Sequence, residues 1–354
     1  MEDKVGRIFW LMLIFAPISW YFAIISHSST LTFITSVLAI VPLARIVGFS
    51  TKEIALQTNV TLGGFLNVAF GNIIILMISV LALSKGLIEI VKASIIGSIV
   101  GNLLLLIGLS VFFGGLKYKE QIFNKESTGV SSTMLIIAVA GLAIPSVYAL
   151  TVETDISHVQ YLSDSVALVM ALIYLAGLFF AYFTHNYIFD SSDDIKAAKE
   201  KPTITIKRAA LLLAVSTVFV AIEAYLLVGN IEVAAATFGL REFFIGAVIV
   251  AIITNISEKS NAIHFAIENK INLSIEIGLS SAIQIALFVV PILIFTSQFF
   301  HYGFLLSFTM FEVVCVIFPV MIVNYLASGG KCNWLEGAQL ITVYLIIASA
   351  FYFI

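Results

Sequence analysis

Five polar side chains stand in apolar surroundings and raise the question of chemistry: Asn72 in FGNIIILMI, Asn102 in IVGNLLLLIG, Asn255 and Glu258 in ITNISEKS, and Gln284 in SAIQIALFV. Amide and carboxylate oxygens are hard donors that suit a cation such as Ca²⁺. Gly71 with Asn72 can break a helix and expose backbone carbonyls as further ligands, and Thr254 stands in the corresponding place before Asn255. A carboxylate at membrane depth can also take a proton. Glu258 can therefore hold metal and proton in alternation, which is the basis of antiport.

Each residue also has a structural reading. An asparagine in a membrane helix is often interhelical glue, worth only about 0.6 kcal/mol. Symmetric placement tips Asn72 and Asn255 toward ligation, whereas Asn102 and Gln284 stay open between ligand, supporting partner and packing. Glu258 could pair with Lys259, although adjacent helical residues point about 100° apart. Glu223 and Glu312 read as satisfied structural acids, with proton relay as the alternative. Gly97, Gly101 and Gly108 read as close helix packing, His185 and His264 receive no metal role, and Asp190, Asp193 and Asp194 read as a solvated acidic loop, with a peripheral cation sensor as the alternative.

The elements that position these groups follow from composition. Of 354 residues, 60% are hydrophobic and 11% charged, with mean hydropathy +1.09. That is a polytopic membrane protein, and in hydrocarbon an unsatisfied polar group must face protein or a water-filled cavity. The net charge of −3 gives no reason to expect nucleic acid. Cys315 and Cys332 form neither a disulfide framework nor a metal-ligand spacing. Apolar runs of roughly 18–25 residues predict eleven all-α spans, of which the third (59–84) and eighth (241–266) are interrupted by Gly, Asn or charge. The first run is read as a retained helix and not a signal peptide.

Lys and Arg gather in the even-numbered connections, most densely at Lys196, Lys199, Lys201, Lys207 and Arg208. The odd ones hold only Lys85, Lys92 and Arg241. The positive-inside rule then predicts a cytoplasmic N-terminus and a C-terminus outside. The organisation expected is an extra helix over 1–28, a five-helix repeat over 29–188, a charged cytoplasmic loop over 189–207 and a second five-helix repeat over 208–354. Five is odd, so such repeats insert in opposite orientations. The stretches 70–86 and 253–269 align with Asn72 opposite Asn255, and 95–108 and 276–289 align with Asn102 opposite Gln284. Inverted repeats with interrupted helices at matching places point to a transporter with its site at the midplane. No Walker loop, HExxH or nucleophile elbow competes, so the chain is not expected to be an enzyme and transport would run on an ion gradient.

The stretch GGFLNVAFGN…LMISVLALSKGLIEIVKASIIGSIVGNLLLLIGLSVFFGGLKYKEQIFN resembles the first repeat of calcium/proton exchangers, within the calcium/cation antiporter superfamily. Three further stretches, LSDSVALVMALIYLAGLFFAYFTH, AIEAYLLVGNIEVAAATFGLREFFIGAVIVAIITNISE and AIENKINLSIEIGLSSAIQIALFVVP, are similar to the same family. The resemblance implies eleven helices, a 5+5 inverted repeat and Ca²⁺ export driven by inward proton flow. It implies no cofactor, and its partners are Ca²⁺, protons and the lipid bilayer. Carried over, Asn72, Asn255 and Glu258 occupy its cation-site positions, with Asn102 and Gln284 on adjacent helices. Three positions depart from the family pattern. Thr254 replaces a Gly, Lys259 stands where His is common, and Ile75 stands where the resemblance calls for the first of two glutamates. With Glu258 alone, bound Ca²⁺ leaves about one uncompensated charge, which predicts weak or absent Ca²⁺ exchange. The rivals are a Na⁺-coupled or monovalent exchanger, and a non-transporting scaffold or cation sensor.

Overall fold

The computed structural model describes residues 6–58, 60–152, 155–189, 201–300 and 302–354. Asp190, Asp193 and Asp194 lie outside them. The described chain is almost wholly helical. Its elements are α1 (Ile8–Ser26), α2 (Ser29–Ala55), α3 (Val60–Gly71), α4 (Ile73–Ser84), α5 (Ile88–Lys117), α6 (Lys125–Thr151), α7 (Ile156–Thr184), α8 (Ile206–Phe238), α9 (Glu242–Thr254), α10 (Ile256–Ile267), α11 (Ile271–Ser297), α12 (Met310–Gly329) and α13 (Trp334–Phe353). The strands β1 (Gln121–Ile122) and β2 (Lys331–Cys332) form an antiparallel pair.

Among the described residues, nine helices are long and apolar enough to cross a membrane, or ten if α9 and α10 count as one bent span. The third run expected from the sequence, 59–84, is divided at Asn72 into α3 and α4. Only α4 then stands as a shorter apolar helix.

Residue contacts group the chain into two compact units, each drawn from separate stretches of sequence. The first takes residues 1–94, 198–257 and 352–354. Its core is α2 against α8, where small and branched residues such as Ala39, Ile40, Ala224 and Ile231 are fully buried. Small side chains let membrane helices approach closely and recover dispersion contacts. Two acids are buried here with specific donors. Glu223 of α8 accepts the Ser19 hydroxyl of α1 at 2.9 Å on each carboxylate oxygen. Glu53, near the end of α2, accepts the backbone N–H of Thr203 at 2.7 Å and of Ile204 at 3.1 Å, and the Thr203 hydroxyl at 2.8 Å. Gln57, one turn on, donates to the Ile204 carbonyl at 3.0 Å. The start of the second half of the chain is thereby clamped to the end of α2.

The second unit takes residues 95–197 and 258–351 and is built on α6, which packs against α12 and α11. Gly108 on α5 meets α13 so closely that an added Cβ would lie 3.0 Å from the Leu340 Cβ, consistent with a packing glycine. Asp155 caps α7 by accepting the Ser157 N–H at 2.9 Å, and that bond holds its carboxyl below the usual carboxylate range. The run expected to be helical over 302–326 begins its helix only at Met310. The preceding residues are irregular, with Phe304, Leu306 and Phe308 buried in alternation. Buried backbone N–H groups outside a helix need partners. Three serine hydroxyls supply them: Ser297 accepts from Phe304 at 3.0 Å, Ser163 from Leu306 at 3.1 Å and Ser146 from Phe308 at 3.0 Å. Thr309 and Glu312 then close a capping box on α12, which gives Glu312 Oε2 a structural partner in the Thr309 N–H.

Candidate functional site

The two helix breaks match in backbone as well as in sequence. Asn72 sits between α3 and α4 with φ −110° and ψ 24°, and Asn255 between α9 and α10 with φ −108° and ψ 16°. Each break is followed by a helix of 12 residues, Ile73–Ser84 and Ile256–Ile267. The α9–α10 pair is bent by 57°. A break leaves the last carbonyls of the incoming helix without intrahelical partners, which makes them available as oxygen ligands.

In the first unit, Asn72 and Asn255 are both buried. The Asn255 amide nitrogen donates back to the Ala251 carbonyl at 3.0 Å and to the Thr254 hydroxyl at 3.2 Å. Thr254 itself bonds back to the Val250 carbonyl at 3.0 Å. Thr254 thus orients the asparagine, with the amide nitrogen tied to the incoming helix. Gly71, before Asn72, is partly buried, and Ile75 is 0% exposed, an apolar side chain one turn beyond the break.

In the second unit, Glu258 lies in the first turn of α10 and is held by a chain of hydrogen bonds. The Ser281 hydroxyl of α11 donates to Glu258 Oε2 at 2.6 Å, and Asn102 Nδ2 of α5 donates to Ser281 Oγ at 2.8 Å. Asn102 is 0% exposed, and among the described residues its Oδ1 has no hydrogen-bond partner. Asn102 opens into a stretch of widened, π-helical turns, Gly101–Leu106, and a second such stretch, Ile285–Val289, follows Gln284. π-Bulges of this kind concentrate at functional sites. Gly278 permits the close approach of α11 to α5: an added Cβ there would lie 2.6 Å from Ile107 Cγ1 and 3.1 Å from the Asn102 carbonyl.

The geometry therefore brings Asn102 to Glu258 through Ser281, a residue that sequence reasoning passed over. The alignment singled out Gln284, which is buried one turn further along α11. Residues i and i+3 share a helix face, so that spacing was the signal available. Lys259 is buried too, with its ammonium beside Gly101. Among the described residues no group of three or more His, Cys, Asp or Glu gathers. Any cation held here would rest on one carboxylate, amides, hydroxyls and backbone carbonyls. His264 instead pairs with Glu268 at 3.2 Å, and His185 stacks on Phe180 at 4.1 Å between ring centroids.

Ser281→Ala is expected to free one oxygen of Glu258 and leave the Asn102 amide without its acceptor. The apparent cation KM should rise about tenfold or more, matching the loss of about 1.5 kcal/mol or more for a hydrogen bond to a charged group. Ser281→Thr should retain the wild-type value. Equal KM for the Ala and Thr variants would remove Ser281 from the site.

Comparison with known proteins follows this geometry. The family model described as sodium/calcium exchanger protein matches residues 28–183 and 208–353, on either side of the central connection. The Ca²⁺/H⁺ antiporter of Synechocystis sp. is 38% identical over 366 residues, covering 98% of this chain and 98% of that protein. The Ca²⁺/H⁺ antiporter ChaA of Bacillus subtilis is 36% identical over 351 residues, covering 98% and 99%. The solved structure of native YfkE superposes with a TM-score of 0.85 at 34% identity, covering 98% of this chain and all of that one.

Proposed function

The chain belongs to the sodium/calcium exchanger protein family, and from that premise we propose that it is a proton-coupled cation antiporter that exports Ca²⁺ in exchange for H⁺ by alternating access. The observation that carries this reading is the pair of matched breaks at Asn72 and Asn255, with Glu258 in the first turn after the second. The relatives named as Ca²⁺/H⁺ antiporters match over nearly their whole length, which supports the same substrates here.

In this reading Glu258 is the carboxylate that carries cation and proton in turn. Asn72, Asn255 and the carbonyls released at the breaks are the further oxygen donors that the sequence offers, of the kind a hard cation takes. Asn102 and Gln284 support it from α5 and α11, and Gly71 and Thr254 shape the breaks. A bare carboxylate at membrane depth is expensive. The protein therefore changes its facing only when Glu258 is loaded with one ion or the other, and this coupling makes the transport an exchange. The first helix, 1–28, precedes two inverted five-helix repeats, 29–188 and 208–354, joined by the connection 189–207. The N-terminus is cytoplasmic and the C-terminus outside, from the distribution of Lys and Arg.

The test is flux. In proteoliposomes holding the purified chain, an imposed pH gradient should drive ⁴⁵Ca²⁺ against the proton flow. A protonophore should abolish the movement, and the wild-type rate should be low. Ca²⁺ flux indifferent to the proton gradient would overturn the coupling, and no movement of any cation, in the chain or its Ile75→Glu variant, would overturn the antiporter reading.

A further inference from the structure

Lys259 is the one charged side chain that follows directly on the proposed cation-carrying carboxylate. It is 6% exposed, within a helix that begins at the break. Its ammonium lies over Gly101, 3.9 Å from where a Cβ on that residue would sit. Gly101 neighbours Asn102, and Asn102 reaches Glu258 through Ser281. The ammonium thus lies beside Gly101 of α5, and the carboxylate is tied through Ser281 to Asn102, the next residue of that helix. In the first repeat the aligned positions are Ile75 and Leu76, neither of which adds charge. A fixed ammonium beside Glu258 therefore opposes any entering cation in proportion to that ion's charge.

We propose that Lys259 is a specificity-determining residue, a tethered cation whose fixed charge opposes the second charge of a divalent ion and so narrows the preference of the site for Ca²⁺ over monovalent cations. The proposal rests on the antiporter reading. Coulomb repulsion scales with the product of the charges, so at any given distance the ammonium opposes a divalent ion twice as strongly as a monovalent one.

The experiment measures proton-driven flux of Ca²⁺, Na⁺ and K⁺ in proteoliposomes for the full chain, Lys259→Gln, Lys259→Met and Lys259→Arg. Both neutral variants should lower the apparent KM for Ca²⁺ about tenfold, against about threefold for Na⁺ and K⁺, so the Ca²⁺ to Na⁺ ratio should shift about threefold. Lys259→Arg, which keeps the charge, should retain the wild-type ratio of Ca²⁺ to Na⁺. Two neutral variants guard against one failing to fold. An unchanged Ca²⁺ to Na⁺ ratio in a transporting neutral variant would overturn the role of Lys259 and leave the antiporter standing. Absence of all cation flux in every variant, and in Ile75→Glu as well, would overturn both.

Discussion

Ile75→Glu is expected to raise proton-driven Ca²⁺ flux by about tenfold to a hundredfold. The reason is charge. Position 75 lies one turn beyond the Asn72 break, as Glu258 lies one turn beyond the Asn255 break, and Ile75 is wholly buried. A second carboxylate there would neutralise the second charge of Ca²⁺ in a region where charges interact strongly. Two unit charges about 4 Å apart attract by about 4 kcal/mol at an effective dielectric of 20. Desolvation of the new carboxylate takes back a large part of that, so one to two decades of rate are expected and not three. Two independent readouts check this: initial ⁴⁵Ca²⁺ rates at fixed pH gradient, and the rise in Tm on adding Ca²⁺. A ligand that binds only the folded protein at 100 times its Kd stabilises by about 2.7 kcal/mol, so the variant should show the larger rise. If Ile75→Glu leaves both readouts unchanged while Glu258→Gln abolishes flux, the requirement for two carboxylates is refuted.

Glu258→Gln should lower cation flux at least a hundredfold and leave the fold intact. Gln has nearly the same shape, and its amide oxygen can still accept the Ser281 hydroxyl that now binds Glu258 at 2.6 Å. What disappears is the negative charge and with it the group that alternates between cation and proton. The loss should appear for Ca²⁺ and for monovalent ions alike, which separates it from the selective effect expected at Lys259. Reduced flux with the proton coupling ratio preserved would show that the alternating group lies elsewhere. Glu223 would then be the first place to look, as a buried carboxylate already bonded to Ser19.

The breaks were legible in the sequence because glycine and bare amides inside an apolar run have few explanations at membrane depth. Glu258 was legible for the same reason. Ser281 was not singled out, because a serine in a membrane helix commonly satisfies itself by bonding back along its own turn, and only its spacing of three residues from Gln284 pointed to it. Its role arises only because Gly278 lets α11 press against the α5 turn that holds Asn102. The segment 302–309 was misread as helix because composition alone cannot separate a buried extended run from the start of a helix. The serines that accept its N–H groups come from other helices, at Ser146, Ser163 and Ser297. The span count fell short of eleven at the very residue, Asn72, that made the third run suspect.

The division of the first unit between residues 1–94 and 198–257 has a consequence for biogenesis. A ribosome adds about 5–20 residues per second. The intervening stretch of about a hundred residues therefore takes roughly 5–20 s to emerge. During that interval α2 is already made, but Glu53 cannot yet meet Thr203 and Ile204, nor Ser19 its partner Glu223. The Ser19 hydroxyl can meanwhile bond back to the Ala16 carbonyl, whereas Glu53 waits for donors that only a later part of the same chain supplies. The insertion machinery, or lipid-bound water, has to shelter that carboxylate until α8 arrives.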